Sequence, residues 1–552
     1  MKEKGVRSAV AIVIVVIIVA IAGFAAWYFM TRPAALSIGG WVIIAQPADA
    51  DILDPARTVY TYSVNINNLI YETLLTYDYN MNLIPMLAEN LPTYYEAGMY
   101  YEFKLKRGVT FHCGHPFTAE SVVYTIDRDK NMSESKQTGS LSSVTAVEAV
   151  DNYTVRIFLN QPDRFLKNWF ASSSSAIVCD ECAKKYGLTF GTTNGPPCGT
   201  GPFKFVEWQW GENITLGRYD NYNWGPEMYQ NKGPAYLDGI VFRVVPENLK
   251  MAMLETGEVN FVTSVGADLE LIENWRDNPD VTLYIGGQVG NLVYLGFNCA
   301  GEENHGYGYE NGDISSGSVS KAVPLKVRQA IAYAINENRL IELAYAGVAT
   351  PATSWLAGTI WSSTDYQEDM YPYNPEKARE LLAEAGYENG LTLEVIHWFD
   401  PHYDIVCTEL IRQLENVGIT LTTMSLDYLI VEDKIRNKDY NMVIAGYNWP
   451  FADMIWWEWH TVRIPSPNRF WWGDNYTDAI IENTYSLDDA TALEALHESQ
   501  RLIAEDAAGL GLLNQGFVSA WRNDVKDTQW GNFKMHSIPS NWKFLDTYVV
   551  EQ

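Results

Sequence analysis

The sequence predicts an α/β protein of two lobes with a cleft between them, and three observations predict it. Segments with strand alternation and segments with helical spacing of apolar residues take turns along the whole chain, as layered α/β folds require. The chain has 552 residues, 47% of them apolar, whereas a single core stops growing near roughly 250–300 residues. No segment recurs at a fixed period, which removes repeat architectures. Two such bodies joined by hinge strands leave a cleft, and clefts between lobes are favoured ligand sites.

In chain order, residues 41–45 (WVIIA) read as a buried strand, followed by an Asp54-Pro55 turn. Residues 67–76 (NNLIYETLLT) carry apolar side chains at helical spacing. Residues 100–105 (YYEFKL) alternate as a strand, Lys106-Arg107-Gly108 turns the chain, and 109–112 opens another short strand. Thr118 is placed to cap a helix with Glu120 in its first turn. Residues 154–159 (TVRIFL) form a strand, and 203–208 pairs with 213–218 across Gly211. Strands are expected at 240–245, 259–263 and 292–298, with a short helix over 250–256 stopped by Gly257. The run 300–320, rich in Gly, Ser, Asn and Glu, marks a hinge or lobe boundary.

Beyond it, Pro324 sits in the first turn of a helical run that ends at Gly347. Asn374 caps the next helix, Pro375 takes its first position and Gly386 follows its last turn. Strands at 391–396 and 419–424 flank an amphipathic helix over 405–417. A strand over 441–447 and a helix over 490–505 follow, and 510–513 and 518–522 read as late strands that return to the first lobe.

The formal net charge is −29 and is spread along the chain. Such a surface repels phosphate backbones, so nucleic acid is excluded as a partner. At the N-terminus, Lys2, Lys4 and Arg7 precede 23 uncharged residues, 8–30. At ~1.5 Å per residue this run crosses a bilayer core as a transmembrane helix. The basic end stays in the cytoplasm, which puts everything after Pro33 outside. A retained anchor is expected. The alternative is a cleavable signal peptide, for which Ala20-Ile21-Ala22 offers small residues at cleavage spacing. No Cys follows the run, so a bacterial lipoprotein anchor is not expected, and Lys4-Gly5-Val6-Arg7 resembles an archaeal pilin-type signal. No second run of spanning length follows, so the chain is not a permease.

Cysteines stand at 113, 179, 182, 198, 299 and 407. Outside the cytoplasm disulfides are allowed, and the first four permit three pairings that the sequence leaves open. Cys179-x-x-Cys182 with Cys198 raises zinc, but no second pair at ligand spacing follows and a disulfide needs nothing more. No metal and no cofactor are therefore expected. His112-Cys113-Gly114-His115 is read as a structural turn, and no H-E-x-x-H, P-loop, G-x-S-x-G or dinucleotide fingerprint appears.

Residues 446–473 (GYNWPFADMIWWEWHTVRIPSPNRFWWG) hold six of the 19 Trp. Prolines 450, 465 and 467 rule out one long helix, so the stretch reads as a strand end followed by a stiff aromatic loop. Aromatic planes can pack a core or take the apolar faces of a sugar ring, while Asn, Asp, Glu and Arg bond its hydroxyl rim. The candidate ligand contacts are Tyr447, Asn448, Trp449, Asp453, Trp456, Trp457, Arg469 and Trp471, with Trp361 and Trp398 joining from the cleft wall. Asp453 and Glu458 also suggest a glycosidase carboxylate pair, read here as two hydrogen-bonding carboxylates.

Four segments, in order, resemble the extracytoplasmic solute-binding proteins of ABC transporters, in the family that takes peptides, nickel and oligosaccharides (family 5). They are GVTFHCGHPFTAESVVYTIDR, GTGPFKFVEWQWGENITLGRYDNYNWG, PLKVRQAIAYAINENRLIELAYAGVATPA and NPEKARELLAEAGYENGLTLEV. The resemblance implies a type II periplasmic-binding-protein fold, without catalysis, whose cleft closes on a ligand and delivers it to a permease. It implies a division into residues 1–32 (anchor or signal), 38–74, 195–298 and 513–552 (lobe I), 75–194 (an extra subdomain of lobe I) and 299–512 (lobe II). A monomer is expected. Peptide binders of this family carry an Asp soon after the Gly-aromatic pair, where it holds the peptide's amino terminus. Pro450 stands at that place here, with Asp453 three residues on. The loss of that carboxylate amid a gain of Trp makes an oligosaccharide the expected cargo, with an oligopeptide as the alternative.

Overall fold

A computed structural model describes residues 39–549, apart from 80–81, 96–97, 247, 264–268, 277, 301–320, 346, 359, 361, 450, 528–530 and 533–542. The N-terminal run 8–30 and nearly all of the 300–320 segment lie outside the described residues. Among the described residues, no helix is long and apolar enough to cross a membrane.

An 11-stranded sheet runs through the molecule. Its order is Ile419–Leu426, Leu391–Trp398, Met442–Asn448, Val281–Phe297, Gly509–Arg522, Phe261–Val262, Trp41–Gln46, Gly239–Val244, Asn213–Arg218 and Phe203–Gln209. Thr350–Pro351 pairs with Gly509–Arg522 off this path. Trp41–Gln46 lies parallel to Gly239–Val244, and Leu391–Trp398 lies parallel to Ile419–Leu426. Parallel strands covered on both faces read as apolar runs, which is why WVIIA is visible in the sequence.

Two long strands tie the halves together. Val281–Phe297 and Gly509–Arg522 pair antiparallel, from Val281 opposite Arg522 to Gly296 opposite Gly509. Their register slips between Gly287 and Leu292, and again between Val293 and Tyr294. The end where Trp521 pairs with Phe261 adjoins the Trp41–Gln46 half, and Asn291 to Phe297 at the other end pair with Met442–Asn448. Residues 510–513 and 518–522 are thus one strand, because both halves find partners along Val281–Phe297. A separate four-stranded antiparallel sheet joins Thr93–Tyr95, Tyr100–Lys104, Thr154–Leu159 and Val144–Asp151.

Two large apolar cores follow this partition. One collects residues from Leu292 to Leu513. The other collects Val42 to Phe261 together with Trp521, Val525, Phe544 and Leu545. Among the described residues, Phe165 crosses over into the first core and Phe451 into the second.

Some local expectations shift. Apolar spacing extends a helix over 67–76, but the helix is Thr61–Ile70 and Leu75–Tyr77 is a strand paired with Leu83–Pro85. The Gly199-Thr200-Gly201 loop presses on the helix end: Gly201 N donates to Ile70 O at 2.9 Å, and a Cβ on Gly199 would lie 2.2 Å from that oxygen. Residues 109–112 form only an isolated bridge, Thr110 to Pro116, because Gly114 at φ +90° folds the chain back at once. The helical run after Pro324 breaks into Leu325–Ala334 and Glu337–Tyr345, where Asn336 N turns to donate to Gln413 Oε1 at 2.6 Å. Asn374 does cap Pro375–Glu384, accepting from Lys377 N at 3.0 Å.

Candidate ligand cleft

Strand Met442–Asn448 pairs with Val281–Phe297 and carries the chain into the aromatic stretch. The window after Pro450 and before Pro465 is free of proline, long enough for a turn and a half of helix. The chain uses it: Met454–Trp459 is helical, followed by a 3-10 turn at Thr461–Arg463. This helix replaces the expected loop. One side sends Trp459 into the core, stacked on Phe470 at 4.1 Å between ring centroids. The other side leaves Trp456 and Trp457 half-buried.

These two rings form one wall of a cavity of about 590 Å³. The volume falls in the range of small-ligand sites, roughly 300–1,000 Å³. Its lining comes from two distant stretches, 139–172 and 449–486. Phe165 and Tyr485 meet edge to face at 5.0 Å across this junction. Trp456 and Trp457 stand perpendicular, 5.3 Å apart. The Arg463 guanidinium lies 3.9 Å from the centroid of each ring, where the ring quadrupole favours a cation. Burial lowers the Arg463 pKa from its ordinary value.

Asp453 brings charge into this apolar wall. It lines the cavity and is 8% exposed. Its Oδ1 accepts from Trp449 Nε1 at 2.8 Å. Burial pushes its pKa up to about 7, with the Asp163 carboxylate adding to the rise and the Trp449 and Trp457 indoles opposing it. Glu458, one turn on, is buried and is not part of the cavity lining. Its pKa also rises to about 7 through burial, with Arg469 opposing the rise. Only Asp453 of this pair faces the space a ligand would fill.

The ten candidate contacts thus separate. Trp449, Asp453, Trp456 and Trp457 line the cavity together. Tyr447 is buried, and its hydroxyl donates to Trp355 O at 2.6 Å. Asn448 is exposed at the strand end, opposite Asn291. Arg469 is tied to Glu432 by bonds of 3.0 and 2.9 Å. Trp471 donates to Ile435 O at 3.0 Å and lies under Lys438 Nζ at 4.2 Å, outside the cavity lining. Trp398 packs against Tyr403 and Tyr428, also away from it. Trp361 lies outside the described residues. The opposite wall, with Asp163, Phe165 and Trp169, has no counterpart in the sequence-based set. The run Asp163-Arg164-Phe165-Leu166-Lys167-Asn168-Trp169 held the only signal, an aromatic pair four residues apart.

The model of the bacterial extracellular solute-binding proteins, family 5, matches residues 82–461. The glutathione-binding protein GsiB of Pectobacterium atrosepticum is 27% identical over 498 residues, covering 87% of this chain and 89% of that protein. The ABC transporter substrate-binding protein CtaP of Listeria monocytogenes shares the fold with a TM-score of 0.78 at 23% identity, over 93% of this chain and 100% of that one. The oligopeptide-binding protein AppA of Bacillus subtilis, solved with a nonapeptide, gives 0.70 at 21% identity, over 94% and 100%. The α/β fold is therefore of the periplasmic-binding-protein kind, and the chain belongs to the bacterial extracellular solute-binding proteins, family 5, as a non-enzymatic, extracytoplasmic substrate-binding component of an ABC importer.

Proposed function

We propose that the cargo is a short peptide or peptide-like amine, held in the aromatic cavity and passed to the permease. The observation that carries this reading is Asp453, a nearly buried carboxyl in a cavity wall with no cationic side chain bonded to it among the described residues. A ligand ammonium supplies the missing partner, and the pair gains strength because Asp453 is nearly buried. Asp453 then does the work that the family pattern gives to the position of Pro450. The relatives named for glutathione and for oligopeptide add support.

The oligosaccharide expected from the Trp content becomes the second reading. The perpendicular Trp456 and Trp457 rings favour it, since the ring faces that Arg463 does not cover can stack on a sugar. Titration of tryptophan emission separates the two. Glutathione and di- to pentapeptides with free amino termini are expected to quench emission and saturate. Quenching by cello-, manno- or xylo-oligosaccharides, with no response to peptides, would sink the peptide reading.

In the same reading residues 8–30 tether a single copy of the chain to the membrane, with its body outside. The three basic residues ahead of 23 uncharged ones support this. The expected lobe boundaries are part of the reading too, and the partition of the two apolar cores supports them.

A further inference from the structure

Four cysteine sulfurs meet on the face of the molecule that carries the Gly199-Thr200-Gly201 loop. Cys113, Cys179, Cys182 and Cys198 bring their Sγ atoms within 4.8 Å of one another. Three chain segments deliver them. Cys113 sits in the tight turn closed by Gly114 N donating to Phe111 O at 2.8 Å. Cys179 precedes helix Asp180–Tyr186 and Cys182 lies in its first turn, so an i, i+3 spacing points both thiols the same way. Cys198 is brought in by backbone pairing, Cys179 N to Cys198 O at 3.1 Å and His112 N to Gly199 O at 2.9 Å.

We propose that these four cysteines form a tetrathiolate site for one zinc ion that clamps the three segments together. A tetrahedral ion with Zn–S bonds of about 2.3 Å needs sulfurs about 3.8 Å apart. A set in which every sulfur is within 4.8 Å of every other fits that figure. Two disulfides would sort the sulfurs into two bonded pairs at about 2.05 Å. In the structure none of the four is bonded to another, and Cys113 and Cys179 stand 3.4 Å apart. The local spacing, Cys-x-x-Cys with a third ligand 16 residues on (182 to 198), is that of a metal knuckle. Sequence spacing hides the fourth ligand, because Cys113 lies 66 residues before Cys179. His115 Nδ1 lies 3.2 Å from Cys113 Sγ, placed to donate to a metal-bound thiolate as outer partners of metal sites do. On binding, each thiol loses its proton to solvent and each sulfur gives an electron pair to zinc, so no oxidant is needed. Cys179 and Cys198 are buried while Cys113 is exposed, which leaves an entry path on one side.

The test uses the full chain purified without chelator or added reductant. Elemental analysis is expected to give one zinc per chain, with an intact mass equal to that of the fully reduced chain. Replacement by cobalt is expected to give the intense visible absorption of tetrahedral tetrathiolate cobalt. Cys113→Ser, which removes the exposed ligand, is expected to weaken zinc retention at least about tenfold. Should that variant fail to fold, the wild-type cobalt spectrum still decides. A metal-free protein lighter than the reduced chain by four hydrogens, silent to cobalt, would overturn the proposal in favour of two disulfides. Iron found in place of zinc would overturn the choice of ion.

Discussion

Asp453 is a carboxyl whose burial raises its pKa to about 7. In the unfolded chain an Asp ionises near about 3.9, so between these values the folded state holds a proton that the unfolded state has lost. Stability therefore falls as pH rises through that window and is level above it. In the proposed reading an ammonium ligand reverses the preference, because it needs the carboxylate. Below about pH 7 each binding event must expel a proton, so affinity for an amine ligand drops about tenfold per pH unit. Calorimetry of a peptide between about pH 5.5 and 7.5 checks this. Asp453→Asn should cost about 2–5 kcal/mol of affinity, the scale for breaking a buried charge pair, and should flatten the profile. An unchanged profile in Asp453→Asn would move the amine clamp elsewhere. At this scale, the sequence made Asp453 visible by its aromatic company. It could not show that Glu458, five residues on, turns away, since helix Met454–Trp459 sets those directions.

That helix is the element on which the cavity wall is built. Proline placement made one long helix impossible, yet it left room for a short one, and burial of Trp459 against Phe470 recruited it. Local pattern cannot see that contact, just as it cannot see the Gly199-Thr200-Gly201 loop that ends Thr61–Ile70. At Asn374 the cap acts within a few residues and the sequence was enough, whereas Thr118 takes the N-cap place of Ala119–Asn131 without a side-chain bond. The same contrast yields a paired expectation. Trp456→Ala removes a cavity wall and should cost about 1–2 kcal/mol of affinity with little change in Tm. Trp471→Ala removes a ring held by Ile435 O and Lys438, so it should lower Tm and leave affinity unaltered. A fluorescence titration and a thermal melt on each variant decide it, and equal affinity losses in both would contradict the placement of Trp471.

At the scale of the whole molecule, the α/β class and the existence of two bodies were legible because they rest on composition and periodicity. How the bodies meet was not, because the contacts join residues some 320 to 374 positions apart. Phe165 packs in the core of the later half and Phe451 in the core of the earlier half, so each half is anchored in the other beside the cavity. Next to Phe165, Arg164 donates to Ser486 O at 3.0 Å and to Asp489 Oδ1 at 2.7 Å. In the proposed reading the halves part to admit ligand and these bonds are lost, so they bias the opening equilibrium without touching the ligand. The Asp489 side chain is 86% exposed, so that ion pair contributes little. The bond from the nearly buried Arg164 to a backbone carbonyl carries most of the effect, on the order of 1 kcal/mol. Arg164→Ala should then shift the ligand-free equilibrium toward the open form about fivefold and raise the peptide Kd by no more than that. Small-angle scattering of the ligand-free protein would register the expansion, whereas Asp489→Ala should change neither radius nor Kd measurably. If Arg164→Ala left both quantities as they are, Phe165 and Phe451 would hold the halves closed without help from Arg164, and the cavity would stay closed whether or not the cation was there.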